Sequence, residues 1–513
     1  MKPLTRTALV SAAALLTALP AWAVSGQDVL ENTCAACHVQ RPDGGWERID
    51  AARKTPEGWD MTVTRMMRNH GVALTPEERA AVVRYLADTR GLTVAETEGR
   101  RYILEREPVA VDEGPNTQMT QTCGRCHSYA RVALQRRTPE DWAHLVNFHL
   151  GQFPTLEYQA LARDRDWWGT AQAEIIPFLA KTYPLGDAPA PFAGDASGEY
   201  VLAGRQPGVG DYSGKLVLAR NGADYDVTMT LDFADTSRSF TGTGRILGPG
   251  EWRATLTDGT TTIRQVASLT EGGHVSGRWY EAESDVTGGR IEALRRDSAP
   301  QIIAAFPRRL KLGEETRVTL AGAGLSDQLT LPEGVSGSVE SVKDGVTTLK
   351  LTAKGAPGPV AIGLGGQSID LIAYEKPDRI TIVPDMAMAR IGGNGGPIPK
   401  TPAQFEAMGW LNGPDGQPAT DDDIALGVFP AQWRTDNFNE EAVKMKDAKY
   451  AGSISESGLF MPADAGPNPE RPMMTNNAGN LKVIATVDAG DAPLTAEAHL
   501  YATVQRFVDA PIR

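Results

Sequence analysis

Two pentapeptides hold every cysteine in the chain: Cys34-Ala35-Ala36-Cys37-His38 and Cys123-Gly124-Arg125-Cys126-His127. The Cys-x-x-Cys-His pattern has a specific use. Its thiols add across the two vinyl groups of a haem, and the adjacent histidine swings beneath the ring as proximal iron ligand. One such match alone could be a redox Cys-x-x-Cys or part of a zinc site. Two matches that consume all four cysteines argue otherwise, and the stretch between them far exceeds zinc-ribbon spacing. The expectation is two covalent haems c, attached at Cys34, Cys37, Cys123 and Cys126, with His38 and His127 on the irons.

An internal repeat bears on the distal ligands. Thr55-Pro56-Glu57 follows the first motif and Thr138-Pro139-Glu140 the second. Each reads as a helix start, with threonine as cap and proline in the first turn. Aligning Trp59 with Trp142 puts Val63 on Val146, Met66 on His149 and His70 on Phe153. Those positions are spaced i, i+4, i+7, i+11, along one helix face. No methionine lies between Cys123 and Met229, so a local distal ligand for the second haem is His149 or His144. His149 shares the Trp142 face and is preferred. For the first haem Met66 is the repeat equivalent, with His70 and Met67 as alternatives. A thioether raises an iron potential relative to a second imidazole, so this pattern implies two haems of unequal potential.

The elements that must carry these residues begin after a leader. Lys2 and Arg6 precede an apolar run, Ala8 to Leu19, and Ala21-Trp22-Ala23 supplies small residues for cleavage. Residues 1–23 therefore read as a secretory signal peptide, and the run is too short for the ~20 residues of a membrane span. The expected location is the periplasm. At 513 residues the chain exceeds one compact core. Its net charge of −13 argues against nucleic acid and anionic membrane as partners.

The expected fold is multidomain: an N-terminal all-α dihaem cytochrome c domain (24–186), then three all-β domains. From about Asp187 glycine-punctuated alternation replaces helical periodicity, and Asn221-Gly222 marks a hairpin. Residues 187–298 read as an antiparallel barrel-like domain. Residues 299–376 and 377–513 read as immunoglobulin-like sandwiches, the last with an insertion. That insertion carries Asp421, Asp422 and Asp423, whose spacing is not that of a calcium loop, so a solvated turn is expected. The β region offers no cysteine and two histidines, His274 and His499, with no evident nucleophile–base pair.

Haems with both axial positions filled by protein move electrons and do not bind substrate, and no substrate-oxidising cofactor has a place in this chain. With CAACH and CGRCH ahead of a cysteine-free β tail containing RVTLAGAGL and RITIVPDMAMARIGG, the chain resembles the α subunit of quinohemoprotein amine dehydrogenase over its whole mature length. The resemblance implies a periplasmic heterotrimer. A small partner subunit would hold cysteine tryptophylquinone and a β-propeller subunit would complete the assembly. Primary amines would be oxidised to aldehyde and ammonia at the quinone. This chain would relay electrons to an external cytochrome c or blue copper protein, with no catalytic residue of its own. The alternatives are a stand-alone dihaem carrier or docking protein, and a dihaem peroxidase.

Overall fold

The computed structural model describes residues 24–152 and 166–505. The expected signal peptide lies outside them, as does Phe153. The expectation of an all-α N-terminal domain is wrong. The protein is 41% strand and 22% helix, and its N-terminal region has only a few short helices. Among the described residues the longest, Pro56–His70, has 15 residues. Helical periodicity identified these helices but not what joins them. Long irregular segments intervene, and the two halves of the region are tied by a two-stranded ladder, Ala52–Lys54 against Gln135–Arg137. The ladder has a local cause. Each strand runs into a Thr-Pro helix start, and both an N-cap and a residue before proline must be extended.

Each half, here called a lobe, repeats one plan. A short helix (Gly26–Asn32 or Thr117–Thr122) leads directly into a 3₁₀ turn holding the first cysteine, Cys34–Ala36 or Cys123–Arg125. The strand follows, then a capped helix, Pro56–His70 or Pro139–Gln152. Thr55 Oγ1 accepts from Gly58 N at 3.2 Å, and Thr138 Oγ1 from Asp141 N at 3.1 Å. A later helix, Pro76–Thr89 or Ile176–Thr182, closes the lobe. The carbonyl just beyond it accepts both a strand amide and an indole. Arg90 O receives Lys54 N (3.1 Å) and Trp59 Nε1 (3.0 Å); Tyr183 O receives Arg137 N (3.3 Å) and Trp142 Nε1 (3.1 Å).

The β region follows as three units. Eight antiparallel strands, from Gly198–Gln206 to Gly288–Arg295, form a closed barrel in which the last strand pairs with the first. Closure leaves no edge strand exposed. Side chains fill the interior: Trp279 Nε1 donates to Tyr212 OH and Trp252 Nε1 to Gln265 Oε1, each at 2.9 Å, which satisfies the buried indoles. Asn221-Gly222 turns the hairpin between the second and third barrel strands, with Gly222 at φ +62°. Next come two four-stranded sheets packed on Val318, Leu320, Leu349, Leu351, Ile362 and Leu371. The last unit has a four-stranded and two three-stranded sheets around Phe405, Phe460, Leu481 and Leu500. In the insertion, Asp423 is ion-paired with Arg379 and accepts from Ala419 N, so it ties a turn.

The barrel is also the seat of the N-terminal lobes. Leu247 packs into the first lobe's core, while Leu104, Ala130 and Leu134 of the second lobe's side pack on Val266 and Tyr280. Charge locks this joint. Arg253 grips Glu57 at 2.7 and 3.1 Å, and Arg101 grips Glu251 at 2.6 and 3.0 Å.

Candidate functional site

The thiols occur in two lobes, each beside its own core. Cys34 packs against the cluster containing Trp46, Trp59 and Leu86, and Cys123 against the one containing Met119, Trp142 and Ile175. Both are half-buried while Cys37 and Cys126 are exposed. Burial pushes the Cys34 and Cys123 thiols up, with the Thr122 hydroxyl opposing this at Cys123. The 3₁₀ turn brings His38 N to 3.0 Å from Cys34 O, so thiols and imidazole issue from one compact turn.

The imidazoles are oriented by backbone. His38 Nδ1 lies 3.1 Å from Glu47 O, His127 Nδ1 2.9 Å from Ser128 O, and His149 Nδ1 2.7 Å from Leu145 O. A carbonyl can only accept, so each Nδ1 carries the proton and the lone pair resides on Nε2, as a metal ligand requires. Burial lowers the His127 pKa; the Ser128 carbonyl opposes this and the Arg131 charge adds to it. His149 is also lowered, by burial first, with the Leu145 carbonyl opposing and the charges of His127, Arg131 and Arg65 adding. Two histidines that burial holds toward the neutral form are donors suited to haem iron.

The other candidates separate clearly. His144 is exposed on the outer side of its helix, and His70 is exposed at the last residue of its own. Met67 is taken up in packing with Leu74 and Val83 against the next helix. Met66 is half-buried and outside that cluster. Cysteine pairs and oriented imidazoles in both lobes, with a half-buried thioether in the first, are donors of the kinds that haem c takes.

Repeat reasoning from Thr-Pro onward missed the residues just before it. Arg53-Lys54 and Arg136-Arg137 are a basic pair in each lobe, and the ladder sets Arg53 directly opposite Arg136, its own counterpart. Lys54 Nζ stands 4.6 Å over Trp59, and Arg137 5.6 Å over Trp142. A local two-fold axis therefore runs through the Arg53–Arg136 pair. Glu96 sits on that axis, bonding Arg53 at 2.7 and 3.0 Å and Arg136 at 3.1 Å. Extending the sequence repeat backward by two residues would have exposed the basic pairs. Their pairing with Glu96 has no local signal.

Another missed residue is Asp112. It accepts from Ser128 Oγ (2.9 Å), Tyr129 N (2.6 Å), Ala130 N (3.1 Å) and Tyr102 OH, and so pins the turn leaving His127. Burial alone would raise its pKa, but these donors hold it below the usual carboxylate value.

Glu96→Ala would leave Arg53 and Arg136 face to face with little solvent. Breaking such a pair costs about 3 kcal/mol, the low end for buried ion pairs because Glu96 is partly exposed. Hydrogen exchange at Ala52–Lys54 and Gln135–Arg137 should quicken by about two orders of magnitude, the equivalent of that energy. Unchanged protection would show that the axis does not depend on this carboxylate.

Among curated proteins nothing matches. Solved structures with matches include mouse protocadherin PcdhgC3 EC1-3, with 13% identity, TM-score 0.18, and coverage of 55% of this chain and 86% of that one. Another is BT4661, a SusE-like surface polysaccharide-binding protein of Bacteroides thetaiotaomicron, at 11%, TM-score 0.14, 56% and 62%. Overlaps at such TM-scores carry no structural or functional argument. Family models match nearly the whole chain. The haem-binding model of quinohemoprotein amine dehydrogenase A, alpha subunit, covers residues 24–189, and those of alpha subunit domains II, III and IV cover 194–296, 299–375 and 380–512. Two haem-type motifs, each beside its own lobe core on a barrel, thus accompany four consecutive matches, and the chain belongs to the quinohemoprotein amine dehydrogenase alpha subunit family.

Proposed function

We propose that this chain is the electron-transfer subunit of a periplasmic amine dehydrogenase, taking electrons from a cysteine tryptophylquinone in a small partner subunit. A β-propeller chain completes the proposed heterotrimer, and an external cytochrome c or blue copper protein is the acceptor. The overall chemistry is oxidation of a primary amine with water to aldehyde and ammonia, releasing two electrons and two protons. The observation that carries this proposal is the second lobe: Cys123, Cys126 and His127 on one turn, with His149 half-buried on the capped helix of the same lobe and oriented by Leu145 O.

Bound haem would supply one-electron redox chemistry in each lobe. Cys34 and Cys37 would anchor one group, and Cys123 and Cys126 the other. His38 and His127 would be the proximal ligands. His149 would be the distal ligand in the second lobe and Met66 in the first. The backbone carbonyls at Glu47, Ser128 and Leu145 hold each ring in the tautomer that presents Nε2. Asp112 keeps the strand of chain after His127 in place. Substrate oxidation is assigned to the partner because this chain's chemistry-bearing residues are accounted for by haem attachment.

The test is amine-driven reduction followed by haem absorbance. In the native complex a primary amine should bring up the ferrous spectrum; the separated polypeptide should stay oxidised until a chemical reductant is added. Reduction of the lone chain by amine, or turnover of hydrogen peroxide by it, would overturn the assignment.

A further inference from the structure

The two lobes differ at one buried charge. Lys54 and Arg137 hold equivalent places. Each ends its strand of the ladder, gives its amide to the carbonyl that closes its lobe, and lies over its lobe's tryptophan. Both are buried, each 6% exposed. Arg137 has a built-in counter-charge: Asp141, third residue of the capped helix, is ion-paired with it and is itself buried. The first lobe's equivalent of Asp141 is Gly58, also third in its helix and likewise giving its amide to the capping threonine. Lys54 turns instead to a neutral group. Its Nζ donates to Thr62 Oγ1 at 2.7 Å, and Thr62 Oγ1 donates on to Gly58 O at 2.9 Å. Among the described residues no carboxylate lies within ion-pair distance of Lys54.

An ammonium has three protons to donate. One goes to Thr62, and the Trp59 ring faces the amine at 4.6 Å; neither neutralises its charge. A buried cation without a counter-charge is costly, and the N-terminal turn of a helix favours an anion beside it. What the second lobe supplies as a side chain, the first lobe lacks. Glycine also leaves the place open. A Cβ at Gly58 would stand 3.0 Å from Lys54 Cβ and 3.7 Å from Lys54 Cδ, so a carboxylate on this turn would lie along the lysine's own stem. Trp59, which Lys54 covers, packs in the cluster that Cys34 adjoins.

We propose that Lys54, at the first turn of the helix Pro56–His70, binds an external carboxylate in the place that Asp141 fills in the other lobe. Two sources share this chemistry, a haem propionate and a small free carboxylate. The first rests on the haem assignment above; the second does not.

The experiment is infrared spectroscopy of the native complex at the carboxylate stretch, with haem content measured alongside. One sample carries isotope-labelled propionate carboxyls. Another is equilibrated with isotope-labelled acetate and then freed of the unbound excess. Lys54→Met should shift a labelled band, in the first sample if the ligand is a propionate and in the second if it is free. Lys54→Arg should keep the wild-type band. Gly58→Asp sets a carboxylate where Asp141 stands in the other lobe, so it should displace the ligand and shift the same band with Lys54 still in place. It carries the test should the methionine chain not fold. Labelled bands unmoved by both substitutions, in both samples, would overturn the proposal and leave Lys54 a neutral amine. A wild-type complex without haem would overturn the haem assignment instead, and the acetate sample would then decide this site by itself.

Discussion

Serine at both Cys123 and Cys126 should cut covalent haem from the proposed two groups per chain to one, read as a loss of one haem mass and a halving of haemochrome absorbance. The reason is the separation of the lobes. Cys34 and Cys123 belong to different buried clusters with different tryptophans, Trp59 and Trp142. Each thiol pair sits on its own 3₁₀ turn, preceded by its own helix. Nothing in the first lobe's turn depends on the second pair of sulfurs, so the group proposed on Cys34 and Cys37 should remain. The reciprocal variant, with serine at Cys34 and Cys37, should leave the other group. Retention of both haems in either variant would show that attachment does not use these thiols.

Arg253→Ala should be the most damaging single substitution at the joint between the lobes and the barrel. Glu251 is 2% exposed and is paired with Arg101 at 2.6 Å and Arg253 at 2.8 Å. Arg253 also holds Glu57 of the first lobe. Its loss leaves one buried carboxylate half-compensated and a second without its clamp. Removing one partner of a buried pair costs about 3–5 kcal/mol, against whole-domain stabilities of about 5–15 kcal/mol. Calorimetry should show the lobes melting earlier, and limited proteolysis should cut between lobes and barrel.

The pH dependence follows from Glu251. Burial would raise its pKa, but the charges of Arg253 and Arg101 win and leave it below the ordinary glutamate value. A carboxyl depressed in the folded state stabilises fully above the unfolded pKa, about 4.3, and that contribution is lost as pH falls through the lower folded value. The wild-type joint should therefore weaken only in strong acid. In Arg253→Ala burial is no longer outweighed as fully, so protonation of Glu251 relieves part of the damage. The stability gap between variant and wild type should narrow as pH falls toward 4. A gap that is constant with pH would mean the loss is one of packing and not of charge.

The two Cys-x-x-Cys-His motifs were legible because they are local, each placing two thiols and an imidazole within one turn of chain. The barrel's strands were legible through alternation and the Asn221-Gly222 turn. The preference for His149 over His144 was argued from helix faces; in the structure His144 is exposed and His149 half-buried. The all-α character expected of the lobes failed because helical periodicity detects helices and is silent about the ladder and irregular chain between them.

By itself the sequence determined where the two Cys-x-x-Cys-His motifs lie, since each is complete within five residues. It also determined the capped helices, because Thr-Pro-Glu acts on its own next turn. Only the tertiary structure decided that the two lobes meet on a two-fold axis at Arg53 and Arg136, and that Glu96 bridges them. These contacts join residues tens of positions apart. They come from burying like charges between two copies of one plan, and only the arrangement of the folded lobes reveals which charges are left to compensate one another.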